Sequence, residues 1–280
     1  MREAAPDFLL IGAMKAGTTT LYDALDGHGG FNLPSLKEPR ILRSDWSQDR
    51  ILKEYRKHFR GGSGLRGDGS TYYSMLPDFP DVSAIAREIM GPDGKIVYIV
   101  RKPASRIASH LMHDVAIGRI DPDFEIHRVI TKDSRFFQWT RYRHQLESWF
   151  AAFGTANCLI VDFDDFVGRQ AVTVEAVCRF LGETPTETQA SVHSNANDVL
   201  VARLKSPVVD RLRQTSGYQK LVRPVARKLF GDRLRSMFYG EAVHIRLDDK
   251  RRSDLGRNAL VAELDEEFTG LHAHESFLKV

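Results

Sequence analysis

Cysteine is scarce in this chain: only Cys158 and Cys178 occur among 280 residues. One falls in an expected strand and one in an expected helix, so both read as small buried apolar side chains in a reduced compartment, with no disulfide expected. Long apolar runs are missing as well. No stretch approaches the roughly 20 apolar residues that span a bilayer, and Met1 to Asp7 holds no apolar leader ahead of the first strand. The expectation is a soluble, cytoplasmic chain without a transmembrane segment. Charge of one sign is also lacking, since 40 basic side chains stand against 37 acidic ones. That balance is too even to mark a nucleic-acid partner. Internal repeats and low-complexity tracts are absent, and Gly61-Gly-Ser-Gly64 is expected to be a flexible loop.

What is present is enough apolar content, 42% of the residues, to fill one large core. Apolar strands alternate with helical patterns from about residue 6 to 185. The economical reading is a single α/β domain over residues 1–280, with a mostly helical, basic carboxyl-terminal part over about 190–280. Between Arg203 and Arg235, Val, Leu and Phe recur at helical spacing among Arg and Lys. That pattern reads as a solvated amphipathic face, with binding to an acidic acceptor or a membrane surface as the alternative.

The densest chemistry lies near the amino terminus. Phe8 to Ile11 is an apolar run suited to a strand covered on both faces, and Thr18 to Leu25 puts Leu21 and Leu25 on one helical face. Gly12 and Gly17 bracket the turn between them. Backbone N–H groups at a helix start lack intrahelical partners and lie at the positive end of the helix dipole. Ala16, Gly17, Thr18, Thr19 and Thr20 are therefore placed to cradle phosphate or sulfate oxygens, and Lys15 adds a full positive charge. The nucleotide loop of NTPases is a poor match, because it needs Gly-Lys-Ser/Thr, whereas Thr18 follows Gly17 and the lysine lies earlier, at position 15. Strand, Lys15-Ala-Gly-Thr-Thr19 and helix instead resemble the 5′-phosphosulfate-binding loop of sulfotransferases that use 3′-phosphoadenosine-5′-phosphosulfate (PAPS).

A second segment extends the resemblance. Lys95-Ile-Val-Tyr-Ile-Val100 is an apolar strand followed by Arg101-Lys-Pro-Ala-Ser-Arg-Ile-Ala-Ser109, with Pro103 suited to the first turn of a helix. Arg101 thus stands at the carboxyl end of a strand, the edge where open parallel sheets bind ligands, and a guanidinium there can grip a phosphate through two parallel hydrogen bonds. The pair Arg101 and Ser109 is similar to the family's 3′-phosphate-binding element.

A third segment, Pro34-Ser-Leu-Lys-Glu-Pro-Arg40, looks like the Lys-Glu-Pro loop of the glycan-type sulfotransferases, in which the glutamate is the proposed base. An acceptor hydroxyl or amine must lose a proton as it attacks sulfur, and Glu38 suits that role. Asp68-Gly-Ser-Thr-Tyr-Tyr73 resembles a further family segment, with Tyr73 on the family tyrosine and Asp68 in place of glutamate. Gly69 stands where heparan-type enzymes often carry a second lysine, and Arg40, Ile41 and Leu42 stand where they carry aromatics.

The resemblance implies a P-loop-like three-layer α/β/α fold with a central parallel sheet and a helical carboxyl-terminal extension. It also implies sulfuryl transfer from PAPS to a hydroxyl, or an amine, of a carbohydrate, glycolipid or small molecule, leaving 3′,5′-adenosine bisphosphate, with no metal required. Lys15 and Glu38 are the catalytic candidates. Lys15 to Thr20, Arg101 and Ser109 are the donor-binding candidates, and Lys37, Arg40, Tyr73 and His110 the acceptor-side ones. His110 and His113 near Asp114 read as packing or acceptor contacts rather than metal ligands, and Asp162, Asp164 and Asp165 read as a loop and helix start. The alternatives from other classes are a P-loop small-molecule kinase and a non-catalytic nucleotide-binding module.

Overall fold

The computed structural model describes residues 4–59, 63–184, 199–204, 239–245 and 247–279. The expected flexible loop at Gly61 and most of the basic stretch from Arg203 to Arg235 lie outside the described residues. Two compact units are present, Met1–Ile107 with Ile130–Ser194 and Arg257–Val280, and Ala108–Val129 with Asn195–Gly256.

The first unit is built on a five-stranded parallel sheet. Its strands are β1 (Phe8–Gly12), β2 (Phe31–Asn32), β3 (Leu65–Asp68), β4 (Lys95–Val100) and β5 (Cys158–Asp162), in the spatial order β2-β3-β1-β4-β5. Every residue of β1 and β5 is buried, as is β4 after its first residue. This is why these strands read as continuous apolar runs rather than alternating ones.

Helices α1 (Thr18–Gly27), α2 (Gln48–His58) and α3 (Ser83–Met90) follow β1, β2 and β3. The chain steps from β1 toward β3 and β2 on one side and toward β4 and β5 on the other. Right-handed crossovers of opposite direction put their helices on opposite faces. Accordingly, α3 packs against α7 (Tyr142–Phe153), while α1 packs against α9 (Gln170–Leu181). Between these lie α4 (Pro103–Ala116), α5 (Ile126–Val129), α6 (Arg135–Gln138) and α8 (Phe163–Gly168). The reversal of strand order beside β1 opens a crevice at the carboxyl ends of β1 and β4, where open α/β sheets bind ligands.

The free edge of β5 is covered by the end of the chain. Ile160 N–H donates to the Ser276 carbonyl at 2.8 Å, and Leu278 N–H donates to the Ile160 carbonyl at 2.8 Å. The pairing blunts an edge that would otherwise present open backbone groups. Cys158 and Cys178 are free and buried, and burial pushes both thiols up, to about 12 and about 11.

In the second unit, strands β6 (Val199–Leu204) and β7 (Tyr239–Ile245) pair antiparallel with Val201 opposite Val243. The helix Asp249–Gly256 follows, and the helix Ala259–Leu271 returns to the first unit. The carboxyl-terminal part therefore holds a strand pair beside its helices. Its signal is the short apolar run Val199-Leu-Val201, with two β-branched residues, which a helical reading of the neighbouring basic stretch passes over. No helix among the described residues is long and apolar enough to cross a membrane.

Candidate active site

Three loops at the carboxyl ends of β1, β4 and β5 are knitted together. The β1–α1 loop reaches α1 through Gly17, whose φ of 92° favours glycine and whose added Cβ would lie 2.8 Å from the Phe163 ring. Phe163 begins α8, and the Arg101 guanidinium sits 4.4 Å over its ring. Arg101 also donates from Nη1 to the Lys15 carbonyl at 3.3 Å. The two sequence motifs thus meet in space through one side chain, and burial lowers the Arg101 pKa.

The start of α1 keeps backbone donors outside the helix's own hydrogen bonds. The first intrahelical bond runs from Leu21 N–H to the Gly17 carbonyl, which leaves the amides of Thr18, Thr19 and Thr20 without helical acceptors. No acidic residue lies in the first turn. Ala16 differs from its neighbours. Its N–H closes a turn onto the Ala13 carbonyl at 3.1 Å, so it shapes the loop instead of offering a donor.

The Lys-Glu-Pro loop lies against this helix start. Lys37 Nζ donates to Thr19 Oγ1 at 2.8 Å and to Thr18 Oγ1 at 3.3 Å, and stands 3.8 Å from Glu38 Oε1. Burial lowers the Lys37 pKa, with Glu38 and Asp23 opposing the shift. Lys37, a candidate on the acceptor side, places its ammonium on the first turn of α1. Thr71 Oγ1 donates to Glu38 Oε1 at 3.0 Å and fixes the carboxylate. All three non-glycine residues with positive φ among the described ones are site candidates: Lys15 at 68°, Glu38 at 62° and Arg40 at 54°. Such backbone persists only where surrounding contacts hold it, and it concentrates at functional sites.

Those contacts are identifiable. Tyr22 Oη donates to the Pro34 carbonyl at 2.6 Å, Arg40 N–H donates to Ser70 Oγ, and the amides of Ile41 and Leu42 both donate to Tyr73 Oη. Tyr73 in turn donates to Asp68 Oδ2 at 2.7 Å, where Tyr55 also donates, and Ser70 donates to Asp68 Oδ1 at 2.6 Å. Asp68 is fully buried, and burial raises its pKa against three lowering hydrogen bonds. Tyr73 and Asp68 therefore position the loop that carries Glu38. Gly69 admits no side chain, because a Cβ there would stand 2.5 Å from the Tyr22 ring.

The buried guanidinium of Arg106 was not anticipated. It is 0% exposed and donates to the Met14 carbonyl at 3.1 Å, to Thr140 Oγ1 at 2.9 Å and to the Phe136 carbonyl at 3.3 Å. It braces the β1–α1 loop from below. A signal existed, since Arg106, His110 and Asp114 recur every four residues on α4 and all three are fully buried. Ser109 and His110 lie in the second unit, where His110 Nε2 is 3.6 Å from Asp114 Oδ2. Arg251 is engaged within that unit as well, with Asp248 and with the Phe124 carbonyl and ring. Asp162 caps α8 by accepting from the Asp164 and Asp165 amides, as a helix start does.

Comparison with known proteins follows the same lines. A family model described as a sulfotransferase domain matches residues 5–209. The chain is 29% identical over 205 residues to bifunctional heparan sulfate N-deacetylase/N-sulfotransferase 4 of Mus musculus, covering 64% of this chain and 22% of that protein. It is 24% identical over 203 residues to bifunctional heparan sulfate N-deacetylase/N-sulfotransferase 1 of Caenorhabditis elegans, covering 67% of this chain and 23% of that protein. The chain thus spans under a quarter of the length of these curated relatives. The crystal structure of a sulfotransferase from Alicyclobacillus acidocaldarius superposes with a TM-score of 0.56 at 21% identity, covering 68% of this chain and 87% of that one, and shares the fold.

Proposed function

This chain belongs to the sulfotransferase family, whose sulfuryl donor is PAPS, and we propose that its site moves a sulfuryl group from PAPS to an acceptor hydroxyl or amine of a carbohydrate, glycolipid or small molecule. When bound, PAPS supplies the activated sulfuryl group and leaves as 3′,5′-adenosine bisphosphate. The observation that carries the reading is Lys37. A desolvated ammonium set on the hydroxyls of Thr18 and Thr19 at the positive end of α1 stacks like charge on like dipole. An anion between them relieves that arrangement.

The chain's own residues divide the work. The amides of Thr18 to Thr20, with Lys15 and Lys37, hold phosphosulfate oxygens and stabilise charge on the departing phosphate, as fixed donors do at a developing oxyanion. Arg101 grips the 3′-phosphate. Glu38, held by Thr71 with the Lys37 ammonium 3.8 Å away, takes the acceptor proton at a carboxylate oxygen. Asp68 and Asp162, the carboxylates ending β3 and β5, are engaged by three hydroxyls and by two α8 amides. That weighs against the kinase alternative, which needs a strand-end carboxylate for Mg²⁺.

The test is an acceptor screen with sulfur-labelled PAPS over alcohols, amines and oligosaccharides. Label transferred to an acceptor supports the reading. Phosphate transfer from ATP with no label moved from PAPS contradicts it.

A further inference from the structure

A cavity of about 250 Å³ begins two residues along the chain from Glu38, with Arg40, Leu42, Arg43, Asp45, Tyr72 and Phe79 in its lining. Two chain segments meet at Glu38 through its bond with Thr71, and the same two segments continue directly into this cavity, as Arg40 to Leu42 and as Tyr72. Its aromatic wall is preorganised. Tyr72 and Phe79 stand edge to face with centroids 4.8 Å apart, and the Arg40 guanidinium lies flat on the Tyr72 ring at 3.0 Å.

The two arginines at this cavity differ in how they are satisfied. Arg43 is held in a two-pronged pair with Asp45, both bonds at 2.9 Å. Arg40 uses its backbone N–H on Ser70 and sets its guanidinium over Tyr72, and the residue is exposed at the cavity. Its left-handed backbone, at φ 54°, is held there by the Tyr73 and Ser70 contacts, so the position of the charge is built rather than incidental. Volume and walls then limit the guest. A cavity slightly below the usual range for drug-sized ligands takes one ring, and a largely aromatic and aliphatic lining in which Arg43 is already paired with Asp45 leaves Arg40 as the cation that selects one anionic group.

Resting on the sulfotransferase reading, we infer that this cavity is the acceptor subsite and that the acceptor is a small single-ring alcohol bearing one carboxylate-like oxyanion, its ring on Tyr72 and Phe79, its charge on Arg40 and its hydroxyl toward Glu38.

Calorimetric titration of 3-(4-hydroxyphenyl)propionate and of its neutral amide into the protein saturated with 3′,5′-adenosine bisphosphate tests this without turnover. The acid should bind about tenfold or more tightly than the amide, the effect of one charge-assisted pair. Arg40→Gln should bring the two within about twofold, Arg40→Lys should keep part of the preference, and Tyr72→Leu should weaken both ligands alike. Unchanged bisphosphate affinity in each variant certifies the fold. Equal binding of acid and amide to the wild type, no binding of either, or a preference that survives Arg40→Gln would overturn the inference. Failure of the sulfotransferase reading shows separately, as equal affinity for the bisphosphate and 5′-AMP, and the acid-to-amide ratio still decides the subsite.

Discussion

The Lys37 ammonium donates to the Thr19 hydroxyl at 2.8 Å, so a cation from the loop after β2 rests on the first turn of the helix after β1. The contact joins the loop that carries Glu38 to the start of α1. Closure of that contact brings Glu38 to the same place, because Lys37 Nζ and Glu38 Oε1 are 3.8 Å apart.

Burial lowers the Lys37 pKa below its ordinary 10.5. Between that lowered value and 10.5 the folded chain has released a proton that the unfolded chain keeps, so this residue makes stability rise with pH across the window. Nucleotide binding runs the other way, since phosphosulfate oxygens favour the ammonium. Affinity for 3′,5′-adenosine bisphosphate should fall on the alkaline side before an ordinary lysine titrates. Lys37→Met should flatten that limb and weaken neutral-pH binding about tenfold. Parallel alkaline limbs in the two proteins, measured by titration calorimetry, would assign the fall to another group.

Glu38→Gln keeps the size of the side chain and the bond from Thr71 while removing the base. Turnover with any acceptor found should drop on the order of a hundredfold, with bisphosphate affinity nearly unchanged. Near-normal turnover would move the base elsewhere.

Arg106→Met keeps most of the buried volume and strips donors from the Met14 and Phe136 carbonyls and from Thr140. Unfolding free energy should fall by about 1–3 kcal/mol. Because Met14 sits in the β1–α1 loop, bisphosphate affinity should weaken as well, even far below the melting temperature, and Arg106→Lys should restore part of it. A melting shift with unaltered affinity would make the residue purely structural.

The parts of this site that could be read from sequence are local. Phe8 to Thr19 carries its strand, its turn glycine and its helix start within a dozen residues, and Arg101 announces itself by ending an apolar strand ahead of Pro103. The parts that could not are set by folding at a distance. Lys37 reaches Thr18 and Thr19 across 18 to 19 residues of sequence, and nothing in Lys-Glu-Pro says which turn its lysine will meet. Phe163 reads as an ordinary residue after a strand until Gly17 and Arg101 close on it. The segment Ser276 to Leu278 pairs with β5 through backbone alone, which leaves no side-chain pattern to find.

Discrimination of the 3′-phosphate is the most direct test of the central claim, because Arg101 ends β4 beside the Lys15 loop and contacts it, and a guanidinium so placed suits a second phosphate. The measurement is the affinity of wild type and Arg101→Ala for 3′,5′-adenosine bisphosphate and for 5′-AMP, with chelator present. A charge-assisted contact typically contributes about 2–3 kcal/mol. Wild type should therefore prefer the bisphosphate by roughly thirtyfold to a hundredfold or more, and Arg101→Ala should bind the two nearly alike. Equal binding of both nucleotides by the wild-type protein would contradict the assignment of PAPS as donor.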